Sequence, residues 1–167
     1  NCVAPVDSSS DHGLSCRKSP GRQIRHSAVN GIIKRALASA EVPARLEPSS
    51  LSRDDGKRPD GMSLMPWKEG RCLIWDFTCA DTLAQSHLDR AVLRAATVAN
   101  DAEQRKRQKY VSLSATYYFV PICIETLGPM GDEAAAFFAD VGQRIATATG
   151  EPRSKTFLMQ RLSIAVQ

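Results

Sequence analysis

Lys57–Thr82 reads KRPDGMSLMPWKEGRCLIWDFTCADT, and its second half decides the fold. The run Arg71–Cys79 is apolar and β-branched enough for a buried strand, yet it carries Asp76 between Trp75 and Phe77. Side chains alternate along a strand, so Ile74, Asp76 and Thr78 share one face and Leu73, Trp75 and Phe77 the other. An ionised carboxylate buried there costs several kcal/mol unless it is paired or coordinated. A second strand, DGMSLM, precedes it, and Pro66, Glu69 and Gly70 between the two predict a hairpin. Antiparallel pairing across that connection would bring Asp60, at the start of the first strand, near the end of the strand holding Asp76.

Working outward, residues 1–24 are rich in Ser, Gly and Pro without periodicity and read as an irregular lead-in. Val29, Ile32, Ile33, Ala36, Leu37 and Ala40 then recur at helical spacing, which predicts an amphipathic helix over Arg25–Val42 ended by Pro43. ARLEP reads as a short strand and SSLSRDDGKRP as a turn-rich loop. After the hairpin, a polar and alanine-rich segment from about Ser86 to Thr116 reads as helix, with Leu88, Val92, Ala95, Ala96, Ala99 and Ala102 as its apolar stripe. YYFVPICIET reads as a strand whose Pro121 favours an edge or a bulge. Gly131–Thr149 and Ser154–Val166 read as two further helices. The order helix, three strands, helix, strand, two helices predicts an α/β (α+β) fold, a mixed sheet with helices packed on it.

The chain has 167 residues, 43% hydrophobic and 24% charged, the size and composition of one domain that buries its own core. No apolar run reaches the roughly eighteen residues of a membrane span and no signal peptide is legible, so a soluble, intracellular protein with no membrane partner is expected. A start at Asn1 is what a piece of a longer reading frame would have. Five irregularly spaced cysteines point to reduced thiols rather than a disulfide framework. The net charge is only +4, but Arg17, Lys18, Arg22, Arg25, Lys34 and Arg35 fall in a stretch without acids, and Arg105, Lys106, Arg107 and Lys109 form a second cluster. Both suit a phosphate backbone and equally suit a solvated face.

Convergent carboxylates beside lysines can hold Mg²⁺, activate water and offset charge on a phosphate, which is phosphodiester hydrolysis. The same residues also allow a structural account, with Asp60 capping a Pro-Asp-Gly turn and Asp76 paired with an arginine such as Arg71 or Arg105. Lys106 and Lys109, three apart, would share a helix face, while Tyr110 reads as packing, His87 as a helix-start surface residue and Glu47 as a further carboxylate within reach.

Pro59-Asp60 followed by Asp76 in an apolar strand, in a helix–strand–strand–strand–helix–strand order, resembles the PD-(D/E)XK, or restriction-like, nuclease fold. That motif usually continues with an acid, one residue and a lysine, whereas this chain has Asp76-Phe77-Thr78. The longer string Arg58-Pro59-Asp60, Trp75-Asp76-Phe77-Thr78 and Lys106-Arg107-Gln108-Lys109-Tyr110 closely resembles the endonuclease domain at the C-terminal end of site-specific non-LTR retrotransposon polyproteins. In that group the lysine has moved to the following helix, commonly as a pair just before a tyrosine. The resemblance implies Mg²⁺ (or Mn²⁺) held by Asp60 and Asp76, catalysis assisted by Lys106 or Lys109, and nicking of DNA to prime reverse transcription. It also implies DNA contacts from residues such as Arg22, Arg25, Lys34, Arg58 and Arg105, element RNA as a partner through the rest of the polyprotein, and a nuclear location if the parent element is eukaryotic.

Those domains also carry a Cys-Cys-His-Cys zinc knuckle before the nuclease core and an Arg-His pair at its first helix, features that Cys2, His12, Cys16 and Arg25-His26 resemble. Only one cysteine precedes His12, so either a ligand has been lost at the N-terminus, His26 takes the fourth zinc position, or the knuckle is damaged. The expected organisation is a partial knuckle over 1–24, a nuclease core over 25–125 and a helical extension of the same domain over 126–167. Two rival expectations stand beside the nuclease: a degenerate module that binds nucleic acid without cutting it, and a structural domain of a larger polyprotein.

Overall fold

The computed structural model describes residues 20–51, 58–84, 87 and 94–167. Helix α1, Pro20–Ser39, begins five residues earlier than its apolar stripe predicts, since proline is pre-set for a first helical turn. It ends as a Schellman motif: Val42 N–H donates to the Leu37 carbonyl at 2.8 Å and Glu41 N–H to that of Ala38 at 3.0 Å. Glu41 takes the left-handed position, φ 59°, that glycine usually fills.

Strands β1 (Ala44–Leu46), β2 (Gly61–Lys68), β3 (Arg71–Ala80) and β4 (Tyr118–Glu125) form one sheet in that order. The first three are antiparallel neighbours and β4 runs parallel to β3, so the sheet is mixed. The hairpin turns on Glu69 and Gly70 alone, with φ of 53° and 71°, the signature of a type I′ turn. Pro66, expected in the connection, lies within β2 instead, where the register shifts on either side of it. A bulge there releases the ladder bond that proline cannot make. The buried Ser63 hydroxyl fills the gap, accepting from Leu73 N–H at 2.9 Å and donating to the Met65 carbonyl at 2.6 Å. Pro121 does sit on an edge strand, β4.

The crossover from β3 to β4 contains α2, Thr97–Lys109, shorter than the expected Ser86–Thr116 helix. Leu88 and Val92 lie outside the described residues, Ala95 is exposed, and Ala96 adopts φ 65°, which starts the helix after it. Ala99 and Ala102 of the expected stripe are buried against Ala80 and Cys123. Helices α3 (Asp132–Thr149) and α4 (Ser154–Val166) complete the chain. Leu73, Trp75 and Phe77 face a core shared with α1, α3 and α4, while Ile74 packs with Tyr110 and Phe119 on the α2 side. Leu158, Leu162 and Val166 enter that first core, whereas Phe157 is exposed beneath the Arg153 guanidinium. No helix among the described residues is long and apolar enough to cross a membrane.

Helices α2 and α3 begin without a local side-chain cap, and each borrows one from elsewhere. Buried Glu125, ending β4, accepts from Ala99 N–H of α2 at 3.2 Å and from the Thr82 hydroxyl at 3.1 Å. Buried Glu103 of α2 accepts from the Glu133 and Ala134 N–H groups of α3, both at 3.0 Å. Asn100 takes Asp132 N–H at 2.8 Å, and Arg107 grips Glu133 through two nitrogens. A Cβ at Gly131 would overlap the Glu103 carboxylate, so the close approach requires glycine there.

Candidate active site

Strand β2 stops short of the end of β3, and that mismatch builds the site. Gly61 pairs with Trp75, and Asp60 N–H still reaches the Trp75 carbonyl at 2.9 Å. Backbone groups two residues on point to the same side of a strand, so Phe77 presents an N–H and a carbonyl where β2 no longer runs. Asp60 Oδ2 accepts that N–H at 2.6 Å, and Lys106 Nζ lies 3.3 Å from that carbonyl oxygen. Lys106 also forms an ion pair with Asp76 Oδ2, linking positions thirty residues apart. Phe77 thereby joins the two aspartates at one end of the sheet. Gly61 is required here because a Cβ would run into the Trp75 indole.

Each aspartate has a second support. Tyr110 OH lies 3.0 Å from Asp76 Oδ1 and 3.1 Å from the Arg58 carbonyl oxygen, and its single proton serves one of them at a time. Lys109 Nζ donates to that hydroxyl at 2.8 Å and sits 4.4 Å over the ring. Of the two lysines expected on one face, Lys106 thus touches the carboxylate, and Lys109 acts through Tyr110. Tyr110, read from sequence as packing, is buried and is also a hydrogen-bond partner of the candidate site.

Asp60 Oδ2 stands 3.1 Å from His26 Nε2 of α1. Burial raises the Asp60 pKa, but the His26 hydrogen bond and charge, the Phe77 N–H and the Lys106 charge outweigh it, and the carboxyl is held below its ordinary range. His26 is raised in turn, chiefly by its hydrogen bond to Asp60, with burial opposing. Trp75 Nε1–H donates to Asn30 Oδ1 at 2.9 Å, which turns the Asn30 amide nitrogen toward His26 Nδ1 at 3.3 Å. In the neutral ring Nδ1 is then the acceptor and the proton sits on Nε2, facing Asp60. Both ring nitrogens have partners within the fold. Cys2, His12 and Cys16 lie outside the described residues.

Asp76 does not pair with Arg71 or Arg105, because Arg71 is turned toward Glu69 and the Ser114 carbonyl, and Arg105 is exposed. Arg58, expected against DNA, pairs with Glu47. Glu47 lies beside Asp60, its N–H donating to the Asp60 carbonyl at 2.8 Å, and its carboxylate is taken by Arg58. Arg22, Arg25, Arg105 and His87 line a cavity beside the site, with His87 Nδ1 2.8 Å from the Asp81 carbonyl oxygen. Lys34 is exposed on α1, about two turns beyond His26, and lines none of it. Among the described residues no three of His, Cys, Asp and Glu cluster closely enough to hold a metal ion by themselves. Sequence reasoning missed the role of His26 at Asp60, the Asn30 link and the Glu103 and Glu125 caps. The available signals were the four-residue spacings His26–Asn30 and Lys106–Tyr110, each of which stacks two polar groups on one helix face. No known protein-family model matches the chain, and no curated protein matches it.

Proposed function

We propose that the domain is a divalent-cation-dependent DNA endonuclease of the restriction-like kind, carried by a non-LTR retrotransposon polyprotein to nick target DNA and prime reverse transcription there. The observation that carries this reading is the meeting of Asp60, Asp76 and Lys106 around the two backbone groups of Phe77. The oxygens on offer, two carboxylates and the Phe77 carbonyl, are hard donors suited to Mg²⁺ or Mn²⁺, and Mg²⁺ commonly takes only one or two carboxylates beside water and phosphate oxygens. The Lys106 ammonium lying between Asp76 and the Phe77 carbonyl marks the position as one that favours a cation.

Asp60, Asp76 and the Phe77 carbonyl would hold Mg²⁺, which would supply water activation and charge neutralisation at the scissile phosphate. Asp60 stays ionised at neutral pH because His26, Phe77 N–H and Lys106 outweigh its burial. Tyr110 and His26 fix the two carboxylates in orientation, and Lys106 offsets charge developing on the phosphate or orients the attacking water. Lys106 thus stands in for the lysine missing at Thr78. Zinc at Cys2, His12 and Cys16, with His26 as the candidate fourth ligand, belongs to the same proposal.

One observation favours the module that binds without cutting: Lys106 and Tyr110 already occupy both Asp76 oxygens, and no third acid joins the pair among the described residues. A supercoiled-plasmid nicking assay with Mg²⁺ or Mn²⁺ separates the two. Nicking that disappears in both Asp60→Asn and Asp76→Asn, with each variant folded, supports the nuclease. A folded wild-type domain that retains plasmid but never nicks it, under either metal, overturns it.

A further inference from the structure

A cavity of about 480 Å³ opens beside the carboxylates, between the first turns of α1, the end of β3 and the middle of α2. His26 and Phe77 line it toward the site, and Arg22, Arg25 and Arg105 reach it from two helices. Among the described residues several arginines elsewhere are held by acids, and these three are not. Arg58, Arg71, Arg107, Arg144 and Arg153 each pair with an acid. Arg25 instead donates to the Gly21 and Val166 carbonyls at 3.4 Å and faces the Cys79 sulfur at 4.0 Å, all neutral groups. Arg22 and Arg105 are exposed and make no ion pair among the described residues. Asp81, the acid on this wall, turns its Oδ1 back to accept from Leu83 N–H at 3.1 Å.

Like charges gathered on a concave surface repel one another and focus a positive potential into it, a field that an anion relieves. Guanidinium forks match phosphate oxygens in shape as well as charge. On the far side of Asp76 the polar groups are already closed on one another, with Tyr110 on the Arg58 carbonyl and Arg58 on Glu47. The open direction is the one the arginines line.

We propose that this cavity is a phosphodiester-binding site, in which Arg22, Arg25 and Arg105 hold the nucleic-acid backbone next to the phosphate presented to Asp60 and Asp76. The assignment rests on the nuclease reading for which phosphate is neighbour to which, but the binding itself requires neither metal nor cleavage. A strand bound this way leaves the carboxylates past Phe77 and runs toward the first turn of α1.

The test is fluorescence anisotropy with labelled single-stranded and duplex DNA, in chelator, across a salt series. Arg22→Gln/Arg105→Gln is compared with Lys155→Gln/Arg161→Gln, which removes equal charge from exposed positions of α4 that do not line the cavity, with folding checked in both. The cavity variant is expected to bind on the order of tenfold more weakly, with its salt slope reduced by about two, while the comparison variant changes by less than about twofold. Loss with the single-stranded probe alone assigns the cavity to an unpaired strand, and loss with the duplex assigns it to paired DNA. Equal loss in both variants, or loss in neither, overturns the site. Because no metal is present, a domain that binds through the cavity but never nicks fails only the nuclease reading, whereas a domain that nicks with both variants binding alike fails only this one.

Discussion

Four carboxylates are withdrawn from solvent around β3 and α2, and they divide into two pairs. Glu103 and Glu125 spend their oxygens on N–H groups at the starts of α3 and α2. Asp60 and Asp76 are met instead by His26, Lys106 and Tyr110, side chains sent from other elements to one end of the sheet. The glutamates replace caps that the local sequence lacks, so their geometry is explained by folding alone. The aspartates stand behind His26 and Phe77, which line an open cavity, and their partners include groups able to exchange protons or yield to a cation. A buried carboxylate on helix N–H groups is an anchor; one on movable cations beside a cavity is a candidate for chemistry.

The widest break between the pairs is expected in activity. Asp76→Asn and Asp60→Asn should each lower plasmid nicking by about 10³-fold or more, on the order of 4 kcal/mol in the barrier, while Glu125→Gln leaves the carboxylate pair intact and nicks at a measurable rate. Lys106→Ala should follow the aspartates, and Lys109→Ala, which loses contact with Tyr110 rather than with Asp76, should fall far less. Equal losses for the two lysines would remove the distinction drawn between them.

The next effect lies in stability and runs the other way. Gly131→Ala drives a Cβ into the Glu103 carboxylate and should destabilise the fold by roughly 2–4 kcal/mol in urea unfolding, as a buried polar cap is displaced. A variant within about 0.5 kcal/mol of wild type would show that the Glu103 cap contributes little.

Glu103 and Asp60, one from each pair, should also titrate with opposite signs. Burial pushes Glu103 up to about 7 despite its two N–H partners. Its folded value lies above the unfolded one, so its contribution is complete below the unfolded value and is lost as pH rises through about 7, by up to about 1.4 kcal/mol per pH unit. Asp60 is held low, so its contribution is present above the ordinary carboxylate range and is lost as pH falls through its folded value. Urea unfolding between pH 4.5 and 8 should therefore show a decline whose lower part, up to about 7, Glu103→Gln flattens, while Asp60→Asn removes only the part above the ordinary histidine value that the His26–Asp60 bond contributes.

The smallest effect lies outside both pairs. Glu41 holds a left-handed φ at the end of α1, so Glu41→Gly should stabilise the fold by a few tenths to about 1 kcal/mol, read as a rise in urea midpoint at constant slope.

Legibility followed range. The alternation around Asp76 divided correctly into an Ile74 side under α2 and a Trp75 side in the main core, and the Ser154–Val166 helix lies where its pattern put it. The α2 segment was overextended because alanine-rich polar sequence favours helix throughout, while Ala96 at φ 65° starts it late. Pro66 was placed in the connection because the bulge that admits it into β2 depends on the Ser63 hydroxyl, not on a turn signal. At the candidate site, two aspartates and a lysine were legible as residue types and Tyr110 as packing, whereas the His26–Asp60 and Tyr110–Asp76 contacts were not, since neither spacing nor composition says which distant group a ring will meet.

The sequence by itself determined which strand face is apolar, where an acid interrupts it, and the order of helices and strands, because these are periodicities and residue chemistries read over a few neighbours. Only the tertiary structure decided that β2 ends before β3, that Phe77 is left with two open backbone groups, and that Asp60 and Lys106 reach them. The same holds for the helices that begin on borrowed carboxylates. Backbone groups must be satisfied wherever pairing stops, and which side chain answers depends on elements brought together from across the chain.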